Sequence, residues 1–486
     1  MRINTSSFKK RISNVNKFTL DTFLYTFGDL LNKGIIFLTI PIFSRMLNVE
    51  DYGILSLYQI LYSILIVLIT LNFPGAVSQR LFEKQENEEV FILVNFKFIV
   101  VFSLIFLLTF GLGELLFDFS NLIGLPSEYY FICLTDVFLV GFLSFYQATL
   151  LGRRNSKLYV INSIASSGGG VIISIVFMLT IFKYDELLGQ FIGKLLVPLI
   201  FCIIILNKYR SAIGVPFKIN KKLIIYSISF GVPLIPHLVS NLVLRQFDRI
   251  IINKYMGLTS TGIYSLASNL SFILPVLIGA INKSWVPVFQ DLLRDKNYEN
   301  ISKKVKSISL IFLMICVLLI LQADIIFKIV APPEYYDGYK IFQLLVFGSY
   351  FLFAYNSFVN YAYFTRKTYS IALITVIIGV LSLSLNFILI PKYFMFGAAF
   401  SFIGGAIFLF LIHFLNVKYF LKIECVSPMI FIKHSIILST VLISSFLFSG
   451  FLFNNFYGLL IRSLISFFVL IVVFIKRDYF LQTKKK

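Results

Sequence analysis

Ionisable residues set inside long apolar stretches are the first sign of chemistry in this sequence. A charge near the middle of a membrane-spanning helix costs roughly 2.5–3.5 kcal/mol on insertion scales, so each needs a partner or a task. One stretch carries Asp29 and Lys33, four residues apart on one helical face, where they can pair. Another carries Arg245, Asp248 and Arg249, with the two arginines on one face and the aspartate beside both. Paired guanidinium groups suit a phosphate, because their donors form a planar fork that a point-like ammonium lacks. The competing reading of this cluster is interfacial snorkelling with a local salt bridge. Asp136, Lys194 and Glu114 each stand in a different apolar stretch. Asp324 and Lys328 are spaced to pair near a membrane interface, and His237 and His413 read as hydrogen-bonded packing residues.

The elements that must position these groups are apolar helices. Of 486 residues, 58% are hydrophobic and only 14% charged, against about 25% charged in a typical soluble domain. Phe alone supplies 56 residues, more apolar surface than a soluble domain of this size can cover. A spanning helix needs about 20 apolar residues, and backbone polar groups in lipid must bond within the segment, so such runs are helices. We place them near 19–43, 53–72, 90–117, 129–151, 158–181, 187–206, 223–252, 260–282, 307–330, 339–363, 369–390, 395–416, 430–452 and 456–475. The basic first twenty residues show no cleavable signal, so the first helix is expected to stay as the insertion signal. The longest connection expected is 282–306, too short for a catalytic domain. No P-loop, HExxH or nucleophile elbow is present, and an enzyme is not expected. Cys133, Cys202, Cys316 and Cys425 have the spacing of neither a zinc site nor a disulfide framework, and read as small buried hydrophobes.

Charge orients the bundle. Most of the 43 Lys and Arg fall in alternate loops once the N-terminus is placed in the cytoplasm, as in Lys9, Lys10 and Arg11, in Arg153, Arg154 and Lys157, and in Lys484, Lys485 and Lys486. The opposite loops at 118–128 and 331–338 contain none. Both termini are therefore expected in the cytoplasm. The net charge of +20 has a membrane explanation and needs no nucleic acid. An internal echo divides the chain. LNVEDYGILSL at 47–57 and MGLTSTGIYSL at 256–266 match at Gly53/Gly262, Ile54/Ile263, Ser56/Ser265 and Leu57/Leu266. Two six-helix lobes in the same orientation follow, a parallel repeat with two appended helices. The expected domains are an N-lobe at 1–207, a cytoplasmic linker at 208–222, a C-lobe at 223–417, and helices 13 and 14 with a basic tail at 418–486. GVPLIP at 231–236 predicts a bend, and SSGGG at 166–170 predicts either close helix packing or a hinge.

Three segments carry a resemblance. FSRMLNVEDYGILSL at 43–57 resembles the first-loop motif of the polysaccharide transporters, the O-antigen and capsule repeat-unit flippases of the multidrug/oligosaccharidyl-lipid/polysaccharide exporter superfamily. FDRIIINKYMGLTSTGIYSLAS at 247–268 is similar to their helix 7–8 motif, with Asp248, Arg249, Gly262, Tyr264 and Ser265 in place. LNFILIPKYFMFGAAFS at 385–401 resembles their helix 11–12 motif through Asn386, Pro391, Gly397, Ala398 and Ala399. The sequence departs where Asn48 and Val49 replace a usual Gly-Pro, and where Phe394 replaces a usual Gly. The resemblance implies an all-α, MATE-like bundle of about fourteen transmembrane helices in a bacterial cytoplasmic membrane. It implies a flippase for an undecaprenyl-diphosphate-linked oligosaccharide working by alternating access; a multidrug or cation antiporter of the same fold is the alternative. On that reading Lys33, Lys194, Arg245 and Arg249 are candidates for the diphosphate. Asp29, Asp136 and Asp248 are candidates for ion coupling or charge pairing, and Tyr146, Gln147, Asn241 and Gln246 for the sugars. No metal or cofactor is expected beyond a Na+ or H+ gradient. The expected partners are the lipid-linked cargo, membrane lipids and polysaccharide polymerase machinery.

Overall fold

The computed structural model describes residues 5–83, 87–210, 220–365 and 367–450, with 455, 457–458, 460–467 and 471 beyond them; its side-chain description begins at Asp21 and leaves out 22, 23, 241, 244 and 368. Among the described residues there is helix and no strand. Twelve helices there are long and apolar enough to cross a membrane. Two of these, Arg245–Arg294 and Tyr369–Leu421, run to 50 and 53 residues, well beyond one bilayer crossing. The protein is an all-α, multi-pass membrane fold. Of the last predicted span, 456–475, residues 457–458, 460–467 and 471 are described.

In chain order the helices are α1 (Thr5–Met46), α2 (Val49–Thr70), α3 (Phe73–Phe82), α4 (Glu88–Phe117), α5 (Phe119–Ile123), α6 (Ser127–Gly152), α7 (Ser156–Leu179), α8 (Glu186–Lys208), α9 (Lys221–Gly231), α10 (Ile235–Ser271), α11 (Ile273–Arg294), α12 (Tyr298–Leu321), α13 (Ala323–Val330), α14 (Gly338–Phe364), α15 (Thr368–Leu415) and α16 (Met429–Leu447). Two differ from the sequence reading for a clear reason. FPGAVSQRLF, taken as loop, is the helix α3, because Phe73, Ala76, Val77 and Leu81 form one apolar face that the bundle buries. The expected 282–306 loop is mostly helix. Trp285, Phe289 and Leu293 repeat at four residues and are buried, which carries α11 on to Arg294.

The chain packs as two compact units, Met1–Leu47 with Leu57–Leu242, and Asn48–Ser56 with Val243–Lys486. This packing division falls within α2 and α10, whereas the lobes read from the duplication were cut at the 208–222 linker. Residues 211–219 of that linker lie outside the described residues.

In the first unit α1 lies along α7 in the same direction. Tyr25 meets Tyr159, Gly28 faces Val160, and Asn32 donates to Ser163 Oγ (2.6 Å) while accepting from Ser167 Oγ (2.6 Å). α7 and α8 approach closely at Gly193, where a Cβ would collide with Ser174 backbone, and Ser174 Oγ donates to Gln190 O (2.8 Å). At the SSGGG stretch itself a Cβ on Gly168, Gly169 or Gly170 would meet only ordinary van der Waals contacts, with Ile35, Val197 and Lys194. The predicted bend is present as a 3-10 turn at Val232–Leu234 between α9 and α10, and Gly231 lies against Leu71 O with no room for a side chain. A cytoplasm-predicted rim is tied by Arg153 and Glu89, an ion pair that puts the ends of α4 and α6 at one level.

In the second unit both long helices fold back on themselves. α10 breaks at Gly257, at φ 80° and ψ −178°, a conformation that glycine adopts freely. α15 breaks at Phe394, at φ 58° and ψ −139°. That is where the family motif has Gly, so here a phenylalanine holds a backbone geometry that costs an ordinary residue on the order of 1–3 kcal/mol. Its arms pack face to face: Ser401 Oγ donates to Ser382 O (2.9 Å), and Gly397 sits too close to Leu389 O for any Cβ.

Candidate functional site

Two polar clusters lie within the apolar bundles, one in each unit. In the first unit Asp136 stands midway along α6 with its side chain at 0% exposure. Lys194 of α8 reaches it with Nζ at 2.7 Å from Oδ2, and Tyr58 Oη of α2 donates to the same oxygen at 2.9 Å. Oδ1 is buried and has no partner in the protein. The Lys194 ammonium also lies over the Tyr62 ring at 4.5 Å and the Tyr58 ring at 5.3 Å, a cation–π cage. Tyr58 is held by stacking on Phe191 at 4.2 Å. Lys194 itself keeps 36% of its side chain exposed. A buried carboxylate is thus paired with a lysine whose side chain is only partly buried.

The second cluster is built from the matching motifs at 47–57 and 256–266. Gly53 and Gly262 make a crossing so close that a Cβ on either would strike backbone, at Leu258 O or Val49 O. Residues 209 apart meet there: Ser265 Oγ donates to Ser56 Oγ (2.7 Å) and Thr259 Oγ1 to Glu50 (3.0 Å). Arg249 is buried beneath this crossing. Its Nη1 donates to Ser56 (2.9 Å), and its Nη2 to Ser268 (3.1 Å) and Asn269 (3.0 Å). Asn269 in turn donates to Tyr52 (3.1 Å). Asp248 takes a bond from Tyr264 Oη and another from the Arg249 amide (2.9 Å). Tyr335, between the membrane spans, packs edge-on to Tyr52 and donates to Asn48 O (3.4 Å). Burial, and then the neighbouring Tyr52 and Asp51, push its phenol well above the usual range, so it is a donor at any physiological pH.

Of the departures from the family pattern, the one at Asn48 has a structural account. Asn48, in place of Gly, caps α2: its Oδ1 accepts from the Asp51 amide (2.8 Å) and its Nδ2 donates to the Asp51 carboxylate (2.7 Å). Phe394 has no such compensation.

The other predicted residues are placed as follows. Lys33 and Asp29 do pair on α1, at 3.1 Å, and both are partly exposed. Arg245 is exposed while Arg249 is buried, so the two arginines that share a helical face do not present a joint fork. Tyr146 receives Lys208 Nζ on its hydroxyl (3.2 Å) and over its ring (4.5 Å), which places it at the end of α8 rather than with Asp136. Gln147 and Gln246 are half-buried, and the Asn241 side chain lies outside the described residues. Glu114 accepts from the Ser120 amide (2.8 Å) and caps a turn. His413 is buried without a hydrogen bond on either ring nitrogen, contrary to the expected bonded packing role. His434, not singled out from the sequence, bonds Ser309 (2.8 Å) and Tyr350 (2.9 Å).

Sequence reasoning missed two groups. Tyr58 and Tyr62 gave no signal, because two tyrosines one helical turn apart read as packing. Arg462 did carry a signal, a lone arginine in an apolar stretch. It is buried, forks onto both oxygens of Asp324, and donates to Leu321 O (2.9 Å). Asp324 also pairs with Lys328, as expected from their spacing, at 3.8 Å.

Comparison with known proteins agrees with this architecture. The family model described as "Polysaccharide biosynthesis protein" matches residues 18–293. The Lsg locus putative protein 1 of Haemophilus influenzae is 25% identical over 281 residues, covering 57% of this chain and 67% of that protein. The succinoglycan biosynthesis transport protein ExoT of Rhizobium meliloti is 23% identical over 268 residues, covering 54% of this chain and 52% of that one. Among solved structures, lipid II flippase MurJ in an inward closed conformation aligns with TM-score 0.70 at 16% identity, over 96% of this chain and 100% of that one. An inward-facing multidrug resistance MATE family transporter aligns with TM-score 0.64 at 13% identity, over 81% and 96%. At these identities the structural likeness is one of fold.

Proposed function

Given that this chain belongs to the polysaccharide biosynthesis protein family, a family of membrane transporters and flippases, we propose that it flips an undecaprenyl-diphosphate-linked oligosaccharide repeat unit. The transfer runs from the cytoplasmic to the outer leaflet of a bacterial cytoplasmic membrane, by alternating access, in surface polysaccharide synthesis. The observation that carries this reading is Lys194. It is a part-exposed lysine inside an apolar bundle, its ammonium held on a buried carboxylate at 2.7 Å. A diphosphate leaving water needs such a cation, because a bare anion in a low-dielectric interior is strongly disfavoured. Arg245 and Lys33 are further accessible cations on membrane helices. The isoprenoid tail needs no polar contact and can stay in lipid. An ion gradient, of Na+ or H+, supplies the driving force, and both termini lie in the cytoplasm.

The test is the Lys194→Met variant in the host. At unchanged protein level it should lose surface polysaccharide and accumulate lipid-linked oligosaccharide on the cytoplasmic face. Normal polysaccharide in that variant would remove Lys194 from the path. One observation favours a second reading, a multidrug or cation antiporter: the buried Oδ1 of Asp136 has acceptor capacity that no group of the protein uses. A changed drug susceptibility on deletion, with polysaccharide intact, would select it.

A further inference from the structure

We propose that Asp136 is a positioning residue that holds Lys194 in reserve as a displaceable counter-ion, so that an incoming diphosphate competes with this carboxylate for the ammonium. The proposal rests on the reading of the first unit as the diphosphate site.

Three features of the pair make it exchangeable. Both donors converge on Oδ2, and Oδ1 is buried without a partner, so the carboxylate is held through one oxygen only. When Lys194 departs, Oδ2 keeps the hydrogen bond from Tyr58, a fully buried side chain stacked on Phe191 and so fixed in place. The ammonium uses one of its three donors on Asp136 and is only partly enclosed. The charged or titratable groups named around the carboxylate are Tyr58 and Tyr62 on α2, Cys133 on its own helix and Lys194 on α8.

The Arg462–Asp324 pair shows what a permanent ion pair looks like in the same molecule. Both side chains are closed off, at 2% and 6% exposure, and the fork engages both carboxylate oxygens. The Lys194 pair has neither property. Its value to a transporter is reversibility: a site that must release its anion on the far side gains from an internal competitor that takes the cation back.

The experiment is pyrophosphate binding to the full-length, detergent-solubilised protein, read by thermal-shift titration. Asp136→Asn keeps the shape and removes the competing charge, so it should bind inorganic pyrophosphate about tenfold more tightly than wild type, while Lys194→Met should lose binding. A merely structural ion pair predicts loss or no change in both variants, and tighter binding in neither. A folded Asp136→Asn protein that binds pyrophosphate no better than wild type overturns the proposal. If that variant does not fold, Tyr58→Phe decides. With the substitute donor gone, Asp136 should hold Lys194 harder and pyrophosphate should bind several-fold more weakly; unchanged binding overturns the proposal. Wild type that binds no pyrophosphate, yet supports normal polysaccharide export, overturns the reserve role and leaves the transport reading standing. Loss of the transport reading itself appears elsewhere, as a deletion strain with normal polysaccharide.

Discussion

The Lys194 cluster and the Arg249 cluster use the same three kinds of side chain, a base, an aspartate and tyrosines, and put them to opposite ends. Around Lys194 the aspartate is the buried member and the base is part-exposed. Around Arg249 the base is buried, Nη1 and Nη2 donate to Ser56, Ser268 and Asn269, and Nε is buried without a partner. The guanidinium fork was the better phosphate ligand on paper. Three of its five donors tie three neutral partners from two helices at once, and its burial keeps the others from a ligand. The lysine has fewer donors and a flexible stem, so it can be held and released. The lesson is that ligand capacity depends on donors left over after packing, and not on the charge alone.

The comparison can be broken by exchanging losses. Lys194→Met should abolish export, at least a hundredfold by polysaccharide assay, while the melting temperature in detergent moves little. Arg249→Met should do the reverse. It leaves buried Ser56, half-buried Ser268 and Asn269, and Asp248 without their cation, so a loss of about 3 kcal/mol is expected in thermal unfolding. Any protein that remains folded should bind pyrophosphate as wild type does. Asp324→Ala extends the test to a closed pair: stranding Arg462 in the bundle should cost about 3–5 kcal/mol, with no change in pyrophosphate affinity. Equal effects of these variants on binding and stability would erase the distinction between the clusters.

Smaller effects sharpen it at the motif departures. Phe394→Gly should raise stability by about 1 kcal/mol, because glycine relieves the positive φ at the fold-back of α15 even after its entropy cost. Asn48→Ala should lower it by about 1 kcal/mol through the lost cap on α2. Neither should alter pyrophosphate binding, since neither residue touches the Lys194 cluster.

The sequence by itself determined the spans, because lipid demands runs of apolar residues long enough to cross it. It determined the family through three ordered motifs, and the bend at 231–236 through its prolines. It also marked Asp136 and Lys194, since a charge in an apolar run is costly wherever it points. It could not join them. They lie 58 residues apart on different helices, and nothing local records which faces meet. Tertiary structure decided that pairing, and it brought Tyr58 and Tyr62 to the ammonium. It likewise decided that Arg249 faces Ser56, 193 residues away, rather than an open path. Composition and spacing report what each helix costs to bury. Only packing decides which donors remain to meet a ligand.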